Sequence, residues 1–200
     1  MKNVFVLFLI MLLPSLVRAQ ITQEEIGDFR CFYGDNAHQT IYSVSYKGFK
    51  GEQGGTDGDY VGRVSPSYEY IIEKTAKGNI KSWCLAFTGR CSRKAGFTMK
   101  KGGKILIKLF DESVITLVVR SVDITEDYEY GTWFTPSAKL SEANFNKITQ
   151  IGVKKIRFET YPKVFDVNYE TDIIGVFLKD ASKIIKEKIN NKEDRLTKGF

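Results

Sequence analysis

Phe97–Val122, FTMKKGGKILIKLFDESVITLVVRSV, consists of two dense apolar runs joined by the polar residues Asp111, Glu112 and Ser113. β-Branched and aromatic residues crowd both runs and Gly102-Gly103 opens the first, a pattern that predicts an antiparallel hairpin. Side chains two apart share a face of a strand, so Ile105, Ile107 and Leu109 line one face and Ile115, Leu117 and Val119 match them across the turn. The opposite face mixes Leu106, Phe110, Val114 and Val118 with Lys108, Thr116 and Arg120. A pair apolar on one side and half apolar on the other belongs inside a sheet rather than at its edge.

Working outward, the same period-two alternation recurs upstream. It appears in Thr40–Tyr46, in Ser67–Lys74, and in Ile80–Thr88, where Trp83, Leu85 and Phe87 share one face and Cys84 and Ala86 the other. Consecutive strands of this kind predict a meander. Downstream, Asp127–Phe134 reads as one further strand with a bend at Gly131. Ser141 is placed to cap a short helix, with Leu140 stapling against Phe145 and Gly152 supplying the exit. Lys154–Thr160 follows as an edge or near-edge strand, its outward charges guarding it. From about Tyr169 to Ile189, apolar residues repeat at helical spacing, among them Ile174, Phe177, Leu178, Ala181 and Ile185. Asn168 is the expected cap of that helix, and Gly175 inside it predicts a close approach by a neighbour.

The fold these elements predict is one α+β domain, a mostly antiparallel meander sheet with a short helix and a long C-terminal helix packed on one face. Residues 1–19 read as a secretory signal peptide, with Lys2, the apolar run Val4–Leu13, Pro14 and a small residue at Ala19 before Gln20. The apolar run is shorter than the roughly 20 residues needed to cross a bilayer, so no membrane span is expected after cleavage. The expected location is the periplasm or the exterior. Residues 20–66 form a polar, glycine-rich segment of the same domain with one strand, 67–189 the α+β core, and 190–200 a charged tail.

The order of a lysine/glycine turn, GGKILIKLFDESVITL, Leu140-Ser141 before a helix, and then IGVKKIRFET is similar to that in small exported proteins of Gram-negative bacteria. The resemblance spans Phe97 to Ile185. It implies an α+β fold and carries no catalytic residue, since those proteins have no assigned function. They often have Asp-Gly at the hairpin turn, where this chain has Asp111-Glu112.

Removing Lys2 and Arg18 with the signal lowers the formal charge from +6 to +4, and no arginine-rich or basic–aromatic run is present. Nucleic acid is therefore not an expected partner. The three cysteines, Cys31, Cys84 and Cys91, are disulfide candidates in an oxidising compartment. Cys84 with Cys91 and Cys31 with Cys91 are the more plausible pairings.

One histidine, His38, excludes a multi-histidine zinc site, and no Cys-x-x-Cys occurs, so no metal or cofactor is expected. Cys31 with His38 is the conceivable nucleophilic pair. Asp57 and Asp59 in GGTDGDY could donate oxygens but lack a closing acidic residue at calcium-site spacing. Asp123, Glu126, Asp127 and Glu129 form an acidic loop. Beside it Tyr128, Tyr130, Trp133 and Phe134 offer aromatic surface for a sugar or a partner protein. Leu106, Phe110, Val114 and Val118 could form an open patch for a partner or a second copy.

The expected function is a non-enzymatic binding or interaction module, its partner a protein or glycan, with a homodimer conceivable. The alternatives are a hydrolase or thiol enzyme using Cys31 and His38 or the acidic loop at 123–129, and an envelope structural or inhibitory protein.

Overall fold

A computed structural model of the chain describes residues 20–47, 61–91, 99–127, 131–160 and 164–197. Ten strands form one sheet: β1 (Gln20–Ile26), β2 (Phe29–Asp35), β3 (Gln39–Tyr46), β4 (Val61–Thr75), β5 (Gly78–Cys91), β6 (Lys104–Leu109), β7 (Val114–Asp127), β8 (Gly131–Lys139), β9 (Val153–Phe158) and β10 (Phe165–Asn168). The helices are α1 (Glu142–Ile151) and α2 (Ile173–Thr197). The sheet order is β1-β2-β3-β4-β5-β8-β7-β6-β9-β10, and every pair is antiparallel.

The hairpin at Phe97–Val122 lies inside the sheet as its pattern requires, with β6 between β7 and β9. Ile105, Ile107, Leu109, Ile115, Leu117 and Val119 are all buried, while Phe110, Val114 and Val118 are exposed on the other side. Its turn solves the Asp111-Glu112 problem without a glycine. The Glu112 amide donates to the Leu109 carbonyl, and Glu112 itself takes a positive φ of 67°, the left-handed position of a three-residue hairpin loop. Lys108 and Lys154 both reach its carboxylate.

The sheet is not flat. Phe87 of β5 and Phe158 of β9 lie four strands apart, about 19 Å in a flat sheet, yet their ring centroids are 5.4 Å apart and edge-on. Strand β7 makes the bend. Its first half pairs with β6 and its second with β8, and the register slips between Val119 and Ser121 at a bulge. The curl gathers Phe87, Phe134, Phe158 and Phe165 into one aromatic cluster. At Gly89 a Cβ would lie 2.4 Å from the Phe134 ring, so the absence of a side chain there lets the ring lie across the strand.

Helix α2 fills the curl and touches β3, β4, β9 and α1. Its stripe of Ile174, Phe177, Leu178, Ala181 and Ile185 is buried, and Phe177 packs against Phe29 and Tyr46 at 6.4 and 5.2 Å. Burying such side chains stabilises by roughly 1.5–3 kcal/mol each, before the entropy of ordering the helix is set against it. The cap is Asp172 rather than Asn168, which belongs to β10. The Asp172 carboxylate accepts from the Gly175 amide at 2.8 Å and the Val153 amide at 3.1 Å, tying the helix start to β9. A Cβ on Gly175 would sit 2.3 Å from that carboxylate, so the close approach is by the cap itself.

Four further readings are corrected. The helix begins at Ile173, because β10 occupies the residues before it, and runs on to Thr197 through most of the segment read as a tail. Asp127–Phe134 is not one strand: β7 ends at Asp127 and β8 begins at Gly131. Residues 20–35, read as a weakly patterned part of the polar N-terminal segment, form the hairpin β1–β2. Its two-residue turn has positive φ at Gly27 alone, the position a II′ turn reserves for glycine. Finally, Gly152 ends α1 at the positive φ of 85° that favours glycine, but its ψ of 158° leads straight into β9 rather than into a left-handed helical turn.

Candidate functional site

Two concavities carry the polar and apolar features from which a site could be built. The first lies where α2 leaves the sheet and the strands β1–β3 overhang it. It encloses about 550 Å³. Cys31 of β2 and Tyr42 and Val44 of β3 alternate inward to form its floor, because Cys31 stands opposite Val44 in the ladder. Ile184 and Ile185 of α2 form the roof. At the rim Glu24 of β1 is ion-paired with Lys188 of α2. Tyr33 tilts against Tyr42 with ring centroids 5.0 Å apart, giving one wall an aromatic surface. Burial pushes the Cys31 thiol above its ordinary pKa and the nearby Glu24 carboxylate adds to the effect, so this thiol is held neutral. An apolar, partly aromatic floor and roof with the Glu24–Lys188 pair at the rim suits a small, mainly apolar molecule.

The second concavity is a notch of about 790 Å³ in the sheet itself. Strand β8 stops at Lys139 and the chain turns through Leu140 and Ser141 into α1, while its neighbours β5 and β7 run on. Lys81, Lys101, Arg120 and Lys139 surround the gap. Arg120 reaches across it to Glu73 and Ser82.

Near the notch the outer face of the sheet holds a polar cluster that sequence reading missed. Glu69 accepts from the Ser137 hydroxyl at 3.2 Å, and desolvation raises its pKa although Ser137 and Arg120 oppose this. Cys84 is fully buried beside Arg120, its pKa likewise raised by burial. The signal was present as Ser67-x-Glu69 alternating against apolar partners. It looked like an ordinary solvated face, because one strand's pattern does not show what lies beside it.

The sequence-derived candidates are scattered. Cys31 and Cys84 are free thiols on separate strands. Cys84 and Cys91 lie seven residues apart on β5, about 23 Å along an extended strand, far beyond the 7 Å limit of a disulfide's Cα atoms. Cys31 neighbours Leu85 across β3 and β4, and Cys91 is six residues further along β5, so that pairing is out of reach as well. His38 is in the β2–β3 turn beyond Asp35, itself four residues and about 13 Å from Cys31, so the two do not form a nucleophile and base.

Asp123 is exposed and lies in β7, as do Glu126 and Asp127, so the acidic loop is largely strand. Trp133 is 40% exposed and points to the outer face, whereas Phe134 is wholly buried. Asp57, Asp59, Tyr128, Glu129 and Tyr130 lie outside the described residues. Among the described residues no three His, Cys, Asp or Glu side chains come together as a metal site, and no helix is long and apolar enough to cross a membrane.

The fold defines the chain as a strongly curled antiparallel sheet closed by one C-terminal helix, with an apolar cavity beneath the end of that helix. No family model, curated protein or solved structure matches it.

Proposed function

We propose that the protein is an exported, non-enzymatic binding module that holds a small, mainly apolar molecule between β1–β3 and the second half of α2. The observation that carries this is the roughly 550 Å³ cavity with apolar floor and roof and a polar mouth. That volume falls in the range of small-molecule sites, about 300–1,000 Å³. The separation of Cys31 from His38 weighs against a thiol enzyme. Export is supported by the N-terminal pattern of a positive start, a short apolar run and a small residue at Ala19.

A neutral environment-sensitive dye, N-phenyl-1-naphthylamine, tests the cavity. Titrated into the mature protein, it is expected to give a saturable, one-site rise in fluorescence and to slow modification of Cys31 by N-ethylmaleimide. Ile184→Trp fills the space from a half-buried position and should abolish the rise while leaving the circular dichroism unchanged. Non-saturable fluorescence, or saturable binding indifferent to Ile184→Trp, would refute the assignment.

A further inference from the structure

We infer that the notch beside β8 is a docking site for an extended acidic peptide, which adds a strand where β8 stops. Three observations meet there. The first is backbone chemistry. Residues Gly78–Ser82 of β5 pair with β4 on one side, and among the described residues no strand pairs their other side. Residues Val114–Val118 of β7 pair with β6, and their opposite side is equally open. Both open sides face the line that β8 would have followed. Across this gap the Arg120 guanidinium of β7 reaches the Ser82 hydroxyl of β5 at 3.3 Å. Exposed ladder groups are a ready template for an extended chain.

The second observation is charge. Lys81, Lys101 and Lys139 border the notch, and none is ion-paired with a described residue. Several other cations of the sheet are partnered, Lys108 and Lys154 by Glu112, Lys155 and Arg157 by Asp166, and Lys74 by Asp35. Three uncompensated ammonium groups around a gap favour a carboxylate-bearing occupant.

The third is the alternation of the lining. Leu117, Trp83 and Leu140 lie toward the inner side of the sheet, whereas Thr116, Val118 and Ser82 lie toward the outer side. Lys81 shares the Trp83 side and Lys139 the Cys84 side, so a strand seated between them meets a cation on either face. The Leu140 amide bond to the Trp83 carbonyl, 2.9 Å, closes the notch at its upper end and limits the added strand to about four or five residues.

The test uses the mature protein and an acetylated, amidated Glu-Val-Glu-Val-Glu peptide carrying a fluorophore, with binding followed by anisotropy. Saturable binding that weakens with salt is expected, at least about tenfold tighter than for Lys-Val-Lys-Val-Lys. Methylating alternate backbone nitrogens on the ladder side should remove binding to the unaltered protein, since it blocks strand pairing without touching charge. Lys81→Glu with Lys139→Glu, both exposed positions, should weaken the acidic peptide about tenfold or more while the melting curve stays in place.

The inference is overturned by no saturable binding, by equal binding of the cationic or N-methylated peptide, or by free glutamate or inorganic phosphate competing at equal affinity. Ile184→Trp should leave this binding intact, which separates it from the cavity beneath α2.

Discussion

The two faces of β4 and β5 share one backbone and differ in almost everything else. Inward, Tyr68, Tyr70, Leu85 and Phe87 are buried against helices and aromatic rings, Tyr68 stacking on Trp83 at 5.0 Å and on Phe145 at 5.6 Å. Outward, the same strands carry the buried Ser67, Cys84 and Ala86 and the partly buried Glu69, whose pKa desolvation raises. The inner face derives its stability from apolar area and the outer face gives some of it back. Burial alone is thus a poor guide to energetic contribution; what matters is whether the buried atom has a use for the low dielectric around it.

The comparison is most easily broken at Phe177, the ring that joins α2 to β2 and β3. Phe177→Ala should cost about 3–5 kcal/mol in denaturant unfolding; a loss under about 1 kcal/mol would mean that α2 does not anchor the inner face.

The next effect has the opposite sign. Tyr169 is buried on the inner face with a hydroxyl that has no hydrogen-bond partner among the described residues, and burial raises its pKa. Tyr169→Phe removes a desolvated donor at nearly constant shape and should stabilise by about 1–2 kcal/mol.

On the outer face, Glu69→Gln is the sharpest probe. Because burial raises the folded pKa above the ordinary 4.5, the native state binds the extra proton, and stability falls as pH rises from there through the raised value. The variant keeps an oxygen acceptor for Ser137 and lacks the charge. Its melting temperature should match the parent below pH 4.5 and exceed it increasingly above. A constant difference across pH would exclude the ionisation as cause.

The smallest change is expected at Val118, 60% exposed on the outer side of β7. Val118→Thr should shift stability by less than about 0.5 kcal/mol.

What could be read from the chain follows the same division. The inner residues of β3 to β7 were legible because burial on one face imposes a strict period of two, and α2 was legible because a single buried stripe imposes a period near 3.6. Strands β1 and β2 were not, since Ile21, Gln23 and Glu25 face solvent and leave no alternation to detect; only the Gly27 turn signalled them. Cap positions failed where β10 took residues that local chemistry had assigned to the helix. Of the candidate site, Tyr42 and Val44 were legible as one alternating face of a strand and Ile184 and Ile185 as part of a helical stripe. That they face one another across open space was not in any local pattern.

The amino-acid sequence by itself determined the strands of the central sheet and the two helices, and which of their faces turn inward, because those are questions of spacing and local sterics. Tertiary structure alone decided that β8 lies between β5 and β7, that Glu69 loses its water, and that a gap and a cavity remain where β8 and α2 part from the sheet. The reason is physical: strand partners and cavities depend on groups brought together from distant parts of the chain, and no periodicity within one segment records what lies across from it.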